Sequence, residues 1–253
     1  MKPTPLSSLV PLPLNAAGSS ALPGLPGAGA LPLPELRRGL LIALLSLATL
    51  LAWDLAGWDL AVVRLFGDAH GFALRDHWVT AGLLHQGGRW LTTGLAVMLL
   101  VNAVRPLWPA LTRRERWGAV ALTTLSLILI PLLKQGSTTS CPWDLAEFGG
   151  VARYVSHWRF GVLDGGPGHC FPSGHASSAF AFFSLFFMLR RAYPAQARAA
   201  LGLVLTLGVL YGLAQLARGA HYPSHTMWTA WICWTLAVIA SPALRARDAD
   251  AGT

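Results

Sequence analysis

Six long apolar runs, separated by shorter polar segments, restrict most strongly how this chain can fold. They cover residues 40–53, 90–104, 117–133, 176–189, 199–216 and 227–240. About 20 apolar residues are needed to cross the hydrocarbon core of a bilayer, so several runs must be extended by their polar flanks. Soluble domains carry about 25% charged residues, whereas this chain carries 12%. We therefore expect an all-α, polytopic membrane bundle of about six transmembrane helices.

The segments outside the runs predict the domain organisation. Residues 1–36 are rich in Pro, Gly, Ala and Ser, and Pro interrupts each short apolar stretch, which predicts a disordered cytoplasmic tail. The membrane domain is expected over 37–241, and a cytoplasmic C-terminal tail over 242–253. Residues 54–68 place apolar side chains on one helical face, which indicates either an interfacial helix or a buried cap over the bundle. Those side chains are Leu55, Trp58, Val62, Leu65 and Phe66.

The basic residues indicate how the bundle is oriented. The net charge is +8, and with the N-terminus inside the cell twelve of the 19 Lys and Arg residues fall in inner segments. Cytoplasmic loops carry such an excess, so we expect both termini inside and no nucleic-acid partner. All eight histidines then fall in outer segments, where their imidazoles can transfer protons. They are His70, His77, His85, His157, His169, His175, His221 and His225.

Two outer segments combine features suited to binding an anion. One begins at Lys134, which belongs to a chain with only two lysines; this side chain can bind an anion or simply snorkel to the interface. The other, residues 168–175, reads Gly-His-Cys-Phe-Pro-Ser-Gly-His and opens the fourth run. Ser173 is a good helix N-cap and Gly174 lets a ligand approach the backbone. The first N–H groups of the helix would then face an anion.

A third outer segment, residues 215–225, contains a pair of histidines. His221 and His225 are four residues apart, so their rings share a face if the turn is helical. Such a pair is typical of a metal site or of a nucleophile with a partner that holds its tautomer. The chain has no HExxH motif, and its outer carboxylates show no ligand-like spacing, so the metal site is the less favoured alternative.

Together these segments resemble a known family. Pro-Ser-Gly-His at 172–175, preceded by the segment from Lys134 to Pro142 and followed by Arg218 and Gly-Ala-His-Tyr-Pro-Ser, is similar to the type 2 phosphatidic acid phosphatase (PAP2) superfamily of membrane lipid phosphatases. The resemblance extends over about 85–240. It implies an all-α bundle with its active site at the outer face.

The resemblance also implies a role for each motif residue. His221 matches the nucleophile that carries the phosphoryl group as phosphohistidine, and His175 matches the general acid that protonates the leaving oxygen. Lys134, Ser173 and Gly174 match groups that bind phosphate oxygens. Phosphoryl transfer requires charge stabilisation and an in-line nucleophile, and this scheme uses no metal and no cofactor.

The chain departs from the family pattern at two arginines. Cys141 stands at the arginine position of the first motif, and Gln215 at that of the third. Arg218 lies three residues after Gln215, on nearly the same helical face, and is expected to supply the charge. Arg153 and Arg159 in the long outer loop are further candidates.

A third departure concerns the partner of the nucleophile. The family has Asp four residues after its histidine, where this chain has His225. A neutral His225 can accept the Nδ1–H of His221, and Asp144 is a second candidate for the orienting role.

Two cysteines lie beside the phosphate-binding segments. An oxidising periplasm permits a bond between Cys141 and Cys170, which would add about 3–4 kcal/mol of stability in the chain-entropy model. We expect this disulfide; two unpaired cysteines are the alternative.

The sequence therefore predicts a membrane phosphatase that hydrolyses a lipid phosphate or lipid pyrophosphate at the outer face of a bacterial inner membrane. Its expected partners are the phosphorylated lipid and the surrounding membrane lipids. Two alternatives stay open: a phosphotransferase that passes the phosphoryl group to a second lipid, and a non-catalytic lipid-binding or transport protein on the same scaffold.

Overall fold

The computed structural model describes residues 33–244, which form a helical bundle. No strand occurs in this range, so the expected all-α fold is confirmed. A π-helical segment, Trp78–Gln86, leads into the third α-helix, and two 3₁₀ turns, Pro142–Asp144 and Ala146–Phe148, lie in the loop after the fourth. The α-helices are α1 Leu33–Ala56, α2 Trp58–Val63, α3 Gly87–Val104, α4 Arg113–Gln135, α5 Gly174–Phe180, α6 Phe183–Leu189, α7 Pro194–Ala217 and α8 Pro223–Leu244.

The number of spans differs from the expected six. Within residues 33–244, five helical segments are long and apolar enough to cross a membrane. They are Pro34–Ala56, Trp78–Val104, Arg113–Gln135, Pro194–Ala217 and Pro223–Leu244. The predicted fourth span corresponds to the shorter segment Gly174–Leu189, in which α5 and α6 follow each other.

The short α5–α6 segment lies in the core of the bundle. It packs against α4, α7 and α8, and its side chains Phe180, Phe183 and Met188 are buried. At 1.5 Å per residue the segment is about 24 Å long, less than the hydrocarbon core of about 30 Å. Because neighbouring helices cover it, this segment does not need the length of a lipid-exposed span.

Both ends of the helical region extend past the predicted boundaries. α1 begins at Leu33 rather than 37, with Pro34 in its first turn, where proline is tolerated. α8 continues to Leu244, past the predicted 241. The predicted tail structure falls on 1–32 and 245–253, outside the described residues.

At the end of the bundle opposite to the histidines, a helix cap and an ion pair join the start of α4 to the segment after α6. Thr112 and Glu115 form a reciprocal capping box at the start of α4, with the Thr112 N–H 2.8 Å from the Glu115 carboxylate. The same carboxylate accepts a bond of 2.7 Å from Arg191, which follows α6. This buried carboxylate therefore joins the starts of α4 and α7.

The segment after α1 has one face outward and one inward. Leu55 is 89% exposed and Leu65 78% exposed, whereas Asp59 and Val63 are buried. Val63 packs with Tyr222 in a small cluster under α2. This segment therefore has features of both predicted alternatives. Its predicted apolar face is largely exposed, as in an interfacial helix, and α2 covers the end of the bundle, as a buried cap would.

Candidate active site

The segments singled out by the sequence meet at one end of the bundle. Lys134 lies in the last turn of α4, and Gly174 is the first residue of α5. A Cβ built on Gly174 would lie 3.9 Å from Lys134 Cδ, so the lysine side chain passes beside the start of α5. The lysine charge acts on the imidazoles of both His175 and His221. A cation and two histidines therefore share one site.

Two hydrogen bonds of the Ser173 backbone attach the segment before α5 to α8. Its N–H donates to the His225 carbonyl at 3.1 Å, and its own carbonyl accepts from Thr229 Oγ1 at 2.9 Å. Ser173 Oγ caps α5 by accepting from the Ala176 N–H at 3.4 Å. Ser173 is fully buried. Since Oγ acts as an acceptor in the cap, its hydroxyl hydrogen is left to donate to a ligand oxygen.

His221 and His225 lie next to each other in the protein interior. His221 precedes α8, and His225 lies in its first turn; their ring centroids are 5.8 Å apart. His221 is 2% exposed and His225 fully buried. Burial and the charge of Lys134 hold the pKa of His221 well below its ordinary value. A neutral imidazole with an available lone pair is the form that a nucleophile requires.

His175 pairs with a histidine from another helix. The rings of His85 and His175 are 4.0 Å apart between centroids and inclined at 33°. His85 comes from the π-helical segment Trp78–Gln86, and such segments occur often at functional sites. Both rings line a small crevice with Gln215 and Tyr211. No motif distinguishes His85 from the histidines that lie outside the motifs.

Two arginines place positive charge at this histidine pair. Arg218 follows α7, and its Nε donates to the Arg75 carbonyl at 2.7 Å. The charges of Arg218 and Arg89 act on both His85 and His175. Arg218 thus lies close enough to act on His85 and His175, and Arg89 is a second cation there that the motifs did not indicate.

The other two candidate arginines lie apart from the histidines. Arg153 donates to the Leu163 carbonyl at 3.4 Å, within its own loop. Arg159 is exposed and takes part in a backbone turn with Ser156. The structure brings neither guanidinium into contact with the described histidines.

Neither candidate orienting partner bonds to His221. His225 directs its Nδ1 to the Cys170 carbonyl at 3.0 Å. Asp144 Oδ2 accepts from the Cys141 N–H at 3.1 Å and so caps the 3₁₀ turn. These contacts hold His225 Nδ1 at Cys170 and Asp144 at the 3₁₀ turn, and neither side chain bonds to the His221 ring.

Gln215 acts on His221 through the backbone. Its buried carbonyl accepts from Ala220 at 2.8 Å and from the His221 N–H at 3.4 Å. Gly219 between them has φ +71°, and a Cβ there would lie within 2.3 Å of the Phe72 ring. Gln215 therefore shapes the turn that carries the candidate nucleophile.

A disulfide borders the histidines. Cys141 and Cys170 are bonded, with their sulfurs 2.07 Å apart. Cys170 contacts both histidines: its carbonyl oxygen lies near His225 Nδ1, and its Sγ lies 3.5 Å from His221 Nδ1. The bond therefore joins the loop after α4 to the segment that precedes α5, beside the candidate nucleophile.

Asp59 holds the start of α8 and was missed by the sequence patterns. Its carboxylate accepts from the Ser224 N–H at 3.0 Å, from the Ser224 hydroxyl and from Trp53 Nε1 at 2.9 Å. Burial raises the pKa of Asp59. Ser224 lies between His221 and His225, so Asp59 fixes the segment that carries both rings.

Two groups of side chains each place three potential metal-ligand atoms within 4.8 Å of one another. In the first, the disulfide removes two sulfurs as thiolate ligands. In the second, indole, hydroxyl and amide donors already bond to the two carboxylates. Neither donor set therefore indicates a metal centre. The groups are Cys141, Cys170 and His221, and Asp54, Asp59 and His157.

A comparison with known protein families assigns this chain to one of them. The family model described as PAP2 superfamily matches residues 116–248, more than half of the chain. The chain belongs to the PAP2 superfamily. The PAP2 match runs from α4 past α8 and includes Lys134, His175 and His221. The curated proteins and the solved structures gave no match.

Part of the site of this PAP2 protein comes from outside the matched region. His85, Arg89 and Asp59 all precede residue 116. They reach the PAP2 motifs only because α2 and the π-helical segment pack onto the histidine end of the bundle. Motif spacing does not indicate such contacts.

Proposed function

We propose that this protein is an integral membrane phosphatase that hydrolyses a lipid phosphate or lipid pyrophosphate at the outer face of the membrane. The observation that carries the proposal is the convergence of Lys134, His175 and His221 at one end of a bundle with the PAP2 motifs. Membership of the family supports the reaction class, and the membrane-length helices support an amphiphilic substrate.

In the first step of the proposed reaction, His221 Nε2 attacks phosphorus and the bond to the leaving oxygen breaks. Burial and nearby cations lower the pKa of His175, so in this proposal the anionic phosphate offsets those charges and His175 binds a proton when the substrate binds. His175 then donates this proton to the leaving oxygen, so the lipid leaves protonated. Lys134 lies beside the start of α5 and stabilises charge on the phosphoryl oxygens, which is the main requirement of this chemistry.

In the second step, water attacks phosphorus and the phosphorus–nitrogen bond breaks. His175, now unprotonated, takes the water proton as general base. Inorganic phosphate leaves, and His221 returns to its neutral form. The low pKa of His221 supports this cycle because the ring starts and ends without a charge.

The test is release of inorganic phosphate by the purified protein in detergent. The substrate panel contains phosphatidic acid, phosphatidylglycerophosphate, a polyprenyl pyrophosphate and lipid A. His221→Ala should abolish release, and His175→Asn should reduce it by at least about 100-fold, the usual contribution of an acid–base group. His70→Asn is the matched control, since His70 is exposed. No hydrolysis of any panel member, or full activity of His221→Ala, would overturn the proposal.

A further inference from the structure

The nucleophile needs a defined tautomer. An imidazole attacks through Nε2 only if the proton resides on Nδ1, and the partner of Nδ1 determines where it resides. This question rests on the proposed function, in which His221 is the nucleophile. Neither His225 nor Asp144 forms a hydrogen bond with His221: His225 Nδ1 contacts the Cys170 carbonyl, and the Asp144 carboxylate accepts from the Cys141 N–H.

A sulfur lies at hydrogen-bonding distance from His221 Nδ1. Cys170 Sγ lies 3.5 Å away, in a fully buried setting. Within the described residues, no carboxylate or amide side chain bonds to this ring. The sulfur belongs to the disulfide with Cys141 and has no hydrogen. It can therefore only accept, and a divalent sulfur is a weak acceptor.

Because the sulfur can only accept, the hydrogen bond must run from His221 Nδ1–H to Cys170 Sγ. If Nδ1 carried the lone pair, two acceptors would face each other in a buried site, which is unfavourable. If Nδ1 carries the proton, N–H donates to sulfur and Nε2 is free to attack. The Cys170 carbonyl is a second acceptor for the His221 ring, and this contact raises the pKa of His221 against the larger effect of burial.

We propose that the disulfide sulfur of Cys170 holds His221 in the Nδ1–H tautomer, so that Cys170 is a positioning residue for the nucleophile. The sulfur takes the place that a carboxylate would occupy, but it brings no negative charge. The Cys141–Cys170 bond thus keeps an acceptor without a proton beside the ring.

A matched pair of variants tests the side-chain acceptor at position 170. Cys141→Ala/Cys170→Ser and Cys141→Ala/Cys170→Ala both lack the sulfur and the cross-link, but only the first keeps a side-chain atom that can accept from His221 Nδ1. The first should have a kcat about tenfold above the second, the factor of one hydrogen bond in the transition state. KM should be equal, because the phosphate-binding groups are unchanged. Equal kcat values at equal folded fraction would show that the side chain has no orienting role.

A second measurement does not depend on activity. In ¹⁵N-histidine-labelled wild-type protein, with His221 assigned by loss of its signals in His221→Gln, the two ring nitrogens report which one carries the proton. Protonated Nδ1 is expected; protonated Nε2 would overturn the inference. Wild-type protein with no phosphatase activity but with protonated Nδ1 would contradict the proposed function and leave the tautomer assignment intact.

Discussion

His221 shows how one buried side chain can be kept neutral. Its ring is enclosed by Cys170 and His225, and Lys134 adds a positive charge nearby. Both burial and the lysine charge oppose protonation, so the pKa of His221 falls well below its ordinary value. The ring therefore keeps its lone pair in mildly acidic solution.

This shift predicts how stability depends on pH. Below about pH 6.5 the unfolded chain binds a proton at His221, whereas the folded protein does not. Stability should thus fall as the pH drops through this range, and His221 alone should contribute up to about 1.4 kcal/mol per pH unit. Thermal unfolding in detergent between pH 8 and pH 5 measures the slope. His221→Gln should reduce the slope and His70→Asn should not; equal slopes in all three proteins would contradict the assignment.

The sequence predicted those site residues that short motifs carry. Lys134, His175 and His221 were identified because each stands in a local pattern, and Arg218 because of its helical position. His85 was not, because its contact with His175 depends on the packing of α3 and the π-helical segment. The spacing of residues within a motif does not indicate how distant helices pack.

At the scale of elements, α8 depends on a cap from a distant helix. Asp59 of α2 accepts two bonds from Ser224, in the first turn of α8. A carboxylate at a helix N-terminus also interacts favourably with the helix dipole. α2 is therefore a structural support for the segment that carries His221 and His225.

Removal of this cap should weaken the end of the bundle. Asp59→Ala leaves the amide and hydroxyl of Ser224 and the indole N–H of Trp53 without their acceptor, which should cost about 1–3 kcal/mol. A lower midpoint of thermal unfolding and a lower kcat are expected. Asp68→Ala is the control, since Asp68 is exposed and bonds only within its own turn. An unchanged midpoint for Asp59→Ala would show that the cap contributes little.

The helices were predicted well where lipid-facing runs define them and less well elsewhere. α1, α4, α7 and α8 correspond to long apolar runs. The break between α5 and α6 was missed because that segment is buried by protein on all sides, so its hydropathy resembles that of a span. The role of Asp59 was missed because its bonding partner Ser224 comes from α8, far away in the sequence.

At the scale of the whole molecule, charge is distributed unevenly between the two ends. The end with the α4 capping box carries Arg113, Arg114, Arg116, Arg190 and Arg191, whereas the histidine end carries isolated cations. From the positive-inside rule we therefore expect the arginine-rich end to face the cytoplasm.

Reporter fusions at the C-terminus test this orientation. A green fluorescent protein fused after residue 253 should fluoresce, and an alkaline phosphatase fused there should be inactive, because α8 ends at the arginine-rich side. The same alkaline phosphatase inserted in the loop around residue 160 should be active. The reverse pattern would place the histidines in the cytoplasm, where the disulfide would not persist.

The position of α2 at the histidine end of the bundle has a consequence for enzyme kinetics. Leu55 and Leu65 flank α2 and are exposed, so we expect them to lie in the bilayer interface, while Asp59 of α2 bonds to Ser224 in the segment of His221. The depth of α2 in the interface would then set the height of the histidines relative to the lipid head groups. A lipid substrate would reach them by lateral diffusion in two dimensions, with its acyl chains still in the bilayer. The turnover rate would then follow the mole fraction of substrate in the membrane, and dilution with inert lipid would slow it even at constant bulk concentration.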